Sequence, residues 1–182
     1  MIQRHPKGAF LYKKLPHISN DGSYQFVTFR TEDSVDDYLK RMIDLPMQNQ
    51  KKQYEMDKYL DSSKNGRYLN DTILELCKAY IIKQDKKLFD VVCFSIMPNH
   101  IHILFKETII ISEAIGKLKG ALAFEINKAL GKKGQFWAKD FYDKSIRDKN
   151  HFDVVYRYIE NNAMKAGLED SDRRFYSVYD EF

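Results

Sequence analysis

A chain of 182 residues has room for one domain, or one domain with an appendage, and its 43% hydrophobic content is enough for a sizeable core. No run of eighteen apolar residues occurs, which excludes a membrane-spanning helix from this reading, and the start Met1-Ile2-Gln3-Arg4-His5-Pro6-Lys7 lacks the apolar region of a secretory signal. The net charge of +4, from 30 basic and 26 acidic residues, is too small to argue for nucleic acid by itself.

The placement of charge says more than the sum. Lysine pairs recur through the body (Lys13-Lys14, Lys51-Lys52, Lys86-Lys87, Lys132-Lys133), while the tail from Glu169 to Phe182 is acidic. Aromatic residues make up 14% of the chain; some belong in the core, and exposed ones suit stacking on unpaired bases. Cys77 and Cys93 have no CxxC spacing and read as buried free thiols, which fits a reducing cytoplasm.

Residues 1–22 show no periodicity and end in the turn signal Ser19-Asn20-Asp21-Gly22, so they read as an N-terminal extension to a domain spanning 23–182. Ser23 to Arg30 alternates and is rich in β-formers, predicting a first strand. Thr31 to Ser34 can cap a helix over Val35–Ile43 that Pro46 interrupts. Met47 to Leu60 is helical by propensity but thin in apolar residues, and Ser62 to Gly66 closes it; the segment 45–67 reads as an inserted helix and loop.

Asn70 or Asp71 caps a helix to about Asp85, with Ile73, Leu74, Cys77, Tyr80 and Ile81 on one face. Two apolar, strand-like runs follow, Phe89–Ile96 and Ile103–Phe105, joined by Met97-Pro98-Asn99-His100-Ile101-His102. Ser112 starts a helix that Gly131 stops, and the second half of Phe136–Ile146 reads as a strand. Asp148 or Asn150 caps a last helix running past Asn162 to Gly167. The order strand, helix, helix, strand, strand, helix, strand, helix predicts an α+β sandwich, an antiparallel sheet with helices packed on one face.

On a strand, residues two apart share a face, so His100 and His102 present two imidazoles side by side while Ile101 and Ile103 point to the core. Two neutral imidazoles are half of a divalent-metal site awaiting an oxygen ligand, although the bare His-x-His tripeptide is equally an ordinary surface pair. In the last helix Tyr158 and Asn162 are four residues apart and share one face, with Tyr156 roughly 200° away. An asparagine inside a helix is mildly disfavoured and calls for a reason.

Four motifs in order carry a resemblance: Met97-Pro98-Asn99-His100-Ile101-His102; Phe136-Trp137-Ala138-Lys139-Asp140-Phe141-Tyr142-Asp143-Lys144-Ser145-Ile146-Arg147-Asp148; Tyr158-Ile159-Glu160-Asn161-Asn162; and Lys165-Ala166-Gly167-Leu168. Together they resemble the single-tyrosine HUH (His-hydrophobe-His) transposases of bacterial insertion sequences, in particular the REP-associated tyrosine transposase branch. Phe26-Val27-Thr28-Phe29-Arg30 resembles that family's first strand, and Arg174 to Tyr179 the segment after its final helix. One departure is Ala163, where the family has proline after the asparagine.

The resemblance implies a ferredoxin-like sandwich and a metal-dependent endonuclease and strand-transferase acting on single-stranded DNA near hairpins. Tyr158 would be the nucleophile forming a 5′-phosphotyrosine link, and His100, His102 and Asn162 would hold Mg²⁺ or Mn²⁺. Lys139, Asp140, Lys144 and Arg147 are candidates for contact with DNA, and Trp137 for stacking on an extruded base. Asn99 shapes the turn that positions His100, and no residue stands out as the base for Tyr158. The expected setting is the bacterial cytoplasm, associated with the nucleoid, as a monomer or homodimer. Two other readings are compatible with the motifs: a catalytically silent domain that binds hairpins, and a metal-dependent phosphoesterase with a water nucleophile, which would not need Tyr158.

Overall fold

The protein is described by a computed structural model covering residues 22–35 and 49–179. The N-terminal extension apart from Gly22, and the predicted 35–43 helix beyond Val35, lie outside the described residues. The elements in chain order are β1 (Tyr24–Arg30), a 3-10 turn (Glu32–Ser34), α1 (Asn49–Ser62), α2 (Asp71–Lys83), β2 (Phe89–Ile96) and β3 (His100–Glu107). They continue with α3 (Ile111–Leu130), β4 (Tyr142–Ser145), α4 (Lys149–Lys165), the single turn α5 (Ser171–Arg174) and β5 (Phe175–Ser177).

All strand pairs are antiparallel and the sheet order is β4-β1-β3-β2-β5. Taken with α2 between β1 and β2, and α3 between β3 and β4, the first four strands form a ferredoxin-like βαββαβ unit. The α+β expectation holds, and so do the predicted strands and the last three long helices.

The pleat explains where each helix goes. On one face Val27, Phe29, Ile101, Ile103 and Phe105 pack against Leu74, Cys77 and Ile81 of α2 and Ile115, Leu118 and Leu122 of α3. Each such fully buried side chain contributes roughly 1.5–3 kcal/mol. The expected one-sided helix layer is this one. The opposite face carries a smaller cluster, Phe26, Val92, Cys93 and Leu104, which Val155 and Ile159 of α4 cover. Helices therefore lie on both faces. The reason is in β2, buried along nearly its whole length: a strand apolar on both faces needs cover on both.

A bulge in β2 arranges that double burial. Val91 and Cys93 stand opposite Phe105 and Leu104, so Val92 is an extra residue. Val92 and Cys93 then both serve the α4 face, while Val91 and Phe94 serve the other.

The acidic, aromatic tail becomes α5 and the edge strand β5, beside β2. Buried Arg174 fixes it, donating to the carbonyls of Leu69 (3.1 Å) and Ile96 (2.8 Å), to Asn70 Oδ1 (2.7 Å) and to Asp170 (2.7 Å). Among the described residues no helix is long and apolar enough to cross a membrane.

Candidate active site

The two histidines emerge on the α4 face of β3, because Ile101 and Ile103 occupy the core face. Both imidazoles are fully buried, with their Nε2 atoms 3.0 Å apart. The Asn99 amide settles the proton on His100. Its Nδ2 donates to the carbonyls of Leu60 (3.0 Å) and Asn65 (3.2 Å), so its Oδ1 is the acceptor facing His100 Nδ1 at 2.8 Å. His100 therefore carries its proton on Nδ1, and its Nε2 is the acceptor in the 3.0 Å contact with His102 Nε2. His102 Nδ1 meets Thr28 Oγ1 at 2.7 Å across the β1–β3 ladder. Burial is the main reason both rings resist protonation: the neighbouring His102 adds to the effect at His100, and His102 is pushed down to about 3.

Helix α4 brings Tyr158 and Asn162 to this pair. It starts at Asp148, whose carboxylate accepts from the His151 backbone N–H at 2.8 Å, so Asp148 rather than Asn150 is the cap. The Tyr158 ring lies edge-on to His102 (centroids 5.2 Å) and to Phe26 (5.9 Å). One turn later Asn162 is 4% exposed, and its Oδ1 is buried with no hydrogen-bond partner among the described residues. An orphaned buried carbonyl is unfavourable by about 1–3 kcal/mol and marks a place for a ligand. With Ala163 in place of the family's proline, α4 continues to Lys165 and turns at Gly167 (φ +70°).

Sequence reasoning missed the contribution of α1. Gln53, Asp57 and Asp61 recur every four residues and form one polar stripe. The Tyr158 hydroxyl donates to Asp57 Oδ2 at 2.8 Å, and Gln53 Nε2 donates to Asp57 Oδ1 at 2.5 Å. Asp61 Oδ1 is 3.7 Å from His100 Nε2 and, like Asn162 Oδ1, has no hydrogen-bond partner among the described residues. Burial pushes Asp57 up to about 7 and Asp61 up to about 6. Burial and the Asp57 charge also hold the Tyr158 phenol well above its ordinary range.

The helix looks unproductive by hydrophobicity because what it buries is a carboxylate, with only Met56 and Leu60 joining Val35 in a small apolar cluster. The i, i+4 acidic spacing was the available signal. Gly66 seats the following loop. Its φ is +65°, its carbonyl accepts from Thr31 Oγ1 at 3.0 Å, and a Cβ there would stand 2.8 Å from the Ser34 backbone nitrogen.

The donors suit a divalent cation. Two ligands on adjacent corners of an octahedron with bonds of about 2.1 Å are separated by about 3.0 Å, the separation of the two Nε2 atoms. Hydrogen bonds behind each ring fix its orientation, as is common behind metal-bound histidines. Among the described residues no three His, Cys, Asp or Glu side chains are gathered tightly enough to chelate an ion as they stand. A third donor must be the amide of Asn162 or a carboxylate that closes in.

The other predicted residues scatter. Lys144 pairs with Phe26 across the β1–β4 ladder and so projects on the histidine face. Arg147 is exposed at the start of α4, and its N–H donates to His151 Nδ1 at 3.2 Å. Burial, then the charges of Lys144 and Arg147, lower the basicity of His151, so both cations lie near this ring. Lys139 and Asp140 are exposed on a loop whose carbonyls receive Lys119 Nζ (2.8 Å from Ala138, 3.0 Å from Lys139). That gives Lys119 a structural role in holding the loop. Trp137 does not fit a stacking role: it is 4% exposed, edge-on to Phe29 and Phe136, in the core on the opposite side of the sheet.

The family model described as Transposase IS200 like matches residues 62–162, more than half of the chain. The chain belongs to the IS200-like transposase family. The matched stretch of this IS200-like transposase contains the histidine pair, Tyr158 and Asn162, but only the end of α1. Among curated proteins none matches the chain. Solved structures that resemble it include a REP-associated tyrosine transposase bound to a REP hairpin, 18% identical, covering 81% of this chain and 70% of that one with a TM-score of 0.48. Another is a candidate transposase from Deinococcus radiodurans R1, 16% identical, covering 87% of this chain and 98% of that one with a TM-score of 0.46.

Proposed function

We propose that this transposase is a metal-dependent single-stranded DNA endonuclease and strand-transferase of the REP-associated tyrosine type, cutting beside DNA hairpins through a 5′-phosphotyrosine intermediate. The observation that carries the reading is the packing of Tyr158 against His102, with its hydroxyl hydrogen-bonded to the buried carboxylate of Asp57. A water-nucleophile phosphoesterase has no use for a tyrosine so placed.

Tyr158 Oη attacks the scissile phosphorus, and the new bond forms as the bond from phosphorus to the 3′-oxygen breaks. The phenolic proton passes to Asp57 Oδ2 along the existing hydrogen bond, and the departing 3′-oxygen takes a proton from water. Rejoining reverses the sequence: a 3′-hydroxyl attacks the phosphotyrosine, and Tyr158 recovers its proton from Asp57. The phosphodiester energy stays in the covalent link, so no nucleotide cofactor is required. Mg²⁺ or Mn²⁺ held by His100, His102 and Asn162 would supply positive charge against the phosphate oxygens. Lys144, on the histidine face of the sheet, and exposed Arg147 would touch the backbone of the bound strand. The chain would act as a monomer or homodimer on DNA in the bacterial cytoplasm.

The test is covalent capture. The protein is mixed with a pool of hairpin-bearing single-stranded DNAs in Mn²⁺ or in EDTA, beside Tyr158→Phe. A metal-dependent, SDS-resistant adduct mapped to Tyr158 by mass spectrometry is expected. Hairpin binding with no adduct would identify a silent binding domain instead, and cleavage surviving in Tyr158→Phe would point to water or another nucleophile.

A further inference from the structure

We propose that Asp61 is a ligand of the divalent cation at the histidine pair, so that α1 supplies the anionic oxygen of the centre. This rests on the reading of His100 and His102 as metal ligands given above. Asp61 Oδ1 is buried, lacks a hydrogen-bond partner among the described residues, and lies 3.7 Å from His100 Nε2. That distance is too long for a hydrogen bond. The nitrogen it faces carries a lone pair rather than a proton, because His100 Nδ1 is committed to Asn99 Oδ1. That nitrogen has no proton to offer Asp61, and its lone pair faces His102 Nε2 at 3.0 Å; a cation bound between the rings would take the place of that shared proton and give Asp61 Oδ1 a partner.

Among the described residues this set does not chelate as it stands, so Asp61 closes in on the ion, and the turn that carries it is set against the histidines. Asn99 holds the Leu60 carbonyl with one end of its amide and His100 Nδ1 with the other. One side chain thus sets the last turn of α1, and with it Asp61, against the imidazole. Gly66 and Thr31 clamp the loop that follows. Asn162 Oδ1 is a second buried oxygen in the same neighbourhood without a partner, one turn from the tyrosine that packs on His102.

Charge points the same way. Asp57 and Asp61 stand one turn apart on α1, and each brings a buried carboxylate oxygen to the site. Two neutral imidazoles do nothing to offset them. A divalent cation bound by Asp61 removes that deficit and leaves Asp57 to Tyr158. The third protein donor becomes a carboxylate, with the Asn162 amide as a fourth and open positions remaining for phosphate oxygens. An oxygen-rich set of this kind suits Mg²⁺ or Mn²⁺.

Direct metal binding tests the idea without DNA. Mn²⁺ is titrated by calorimetry and by loss of the free-ion EPR signal into the full-length protein and into Asp61→Asn, Asp61→Ala and His102→Ala, with folding of each confirmed by thermal melting in EDTA. Asp61→Asn and Asp61→Ala should weaken Mn²⁺ binding at least tenfold. Asp61→Cys, titrated with Cd²⁺, should develop a thiolate-to-metal absorption band that His102→Ala in the same background abolishes. Wild-type Mn²⁺ affinity in both Asp61 variants, with binding lost in His102→Ala, would overturn Asp61 as a ligand and leave the histidine site standing. Failure of the wild-type protein to bind Mn²⁺ at all would overturn both.

Discussion

Tyr158 on α4 donates its hydroxyl hydrogen to Asp57 on α1 across 2.8 Å, joining two residues that lie 101 positions apart in the sequence. The carboxylate is held from behind by Gln53, so it does not rotate away from the phenol. A phenol raised by burial and by a nearby negative charge is a poor nucleophile until its proton has somewhere to go. In the proposed reaction Asp57 is that place.

Asp57 accepts a proton only when ionised, and burial raises it to about 7. The rate of Tyr158 adduct formation should therefore climb as pH rises through about 7 and then level off. Asp57→Asn keeps the shape but not the base. It should slow adduct formation by roughly 10²–10⁴-fold and flatten that rise, measured as single-turnover rates from pH 5.5 to 8.5. An unchanged rise in Asp57→Asn would assign the titration to another group.

The same residue should weaken the fold. In the unfolded chain its carboxyl releases a proton near 3.8, in the folded protein near 7, so the folded state holds the extra proton between those values. Stability contributed at this position falls as pH rises through that window and stays low above it. Metal-free Asp57→Asn should thus be more stable than wild type at pH 8, by about 1–3 kcal/mol, with little difference at pH 4. Paired melts in EDTA at the two pH values check the sign.

Gly66→Ala places a methyl group against Thr31 and the Ser34 backbone at a left-handed φ of +65°. The combination should destabilise the protein by about 2–4 kcal/mol. Because the affected loop seats the end of α1, Mn²⁺ affinity should fall with it. Gly134→Ala is the control: φ is also positive there, but a Cβ would meet nothing within 4 Å, so only the backbone strain of about 1–2 kcal/mol applies.

On the DNA side, Lys144→Ala and Arg147→Ala should each weaken hairpin binding to a similar degree for all sequences. Each should also reduce the slope of log affinity against log salt by about 0.7. Trp137→Phe should leave DNA binding unchanged and lower the melting temperature, since the indole packs against Phe29 and Phe136. Fluorescence anisotropy over a salt series separates these cases.

What was legible in the sequence was whatever repeats at a regular period. The alternation of β1, the 3.6-residue faces of α2 and α3, and the two-residue spacing of His100 and His102 all predicted what the structure shows. The pairing of Tyr158 with Asn162 followed from the same geometry. The second helix layer was less visible, because a strand apolar on both faces does not say which helix will cover it. α5 and β5 were too short for any period, and their anchor is one arginine reaching four acceptors. α1 was misjudged for a physical reason. Hydrophobic patterning ranks a helix by the apolar area it buries, and this helix also relies on polar contacts: Asn99 to the Leu60 carbonyl, and Asp57 to Tyr158.

The distance along the chain between Asp57 and Tyr158 also sets the order in which the site comes into being. A ribosome releases α1 first, then the histidine hairpin, and only after α3 and β4 the helix that carries the tyrosine. Until α4 docks on the far face of the sheet, a growing chain has its imidazoles and its carboxylates but not the tyrosine proposed to attack DNA. The proposed nucleophile follows all of these groups, and it arrives on the helix that packs against the histidine face.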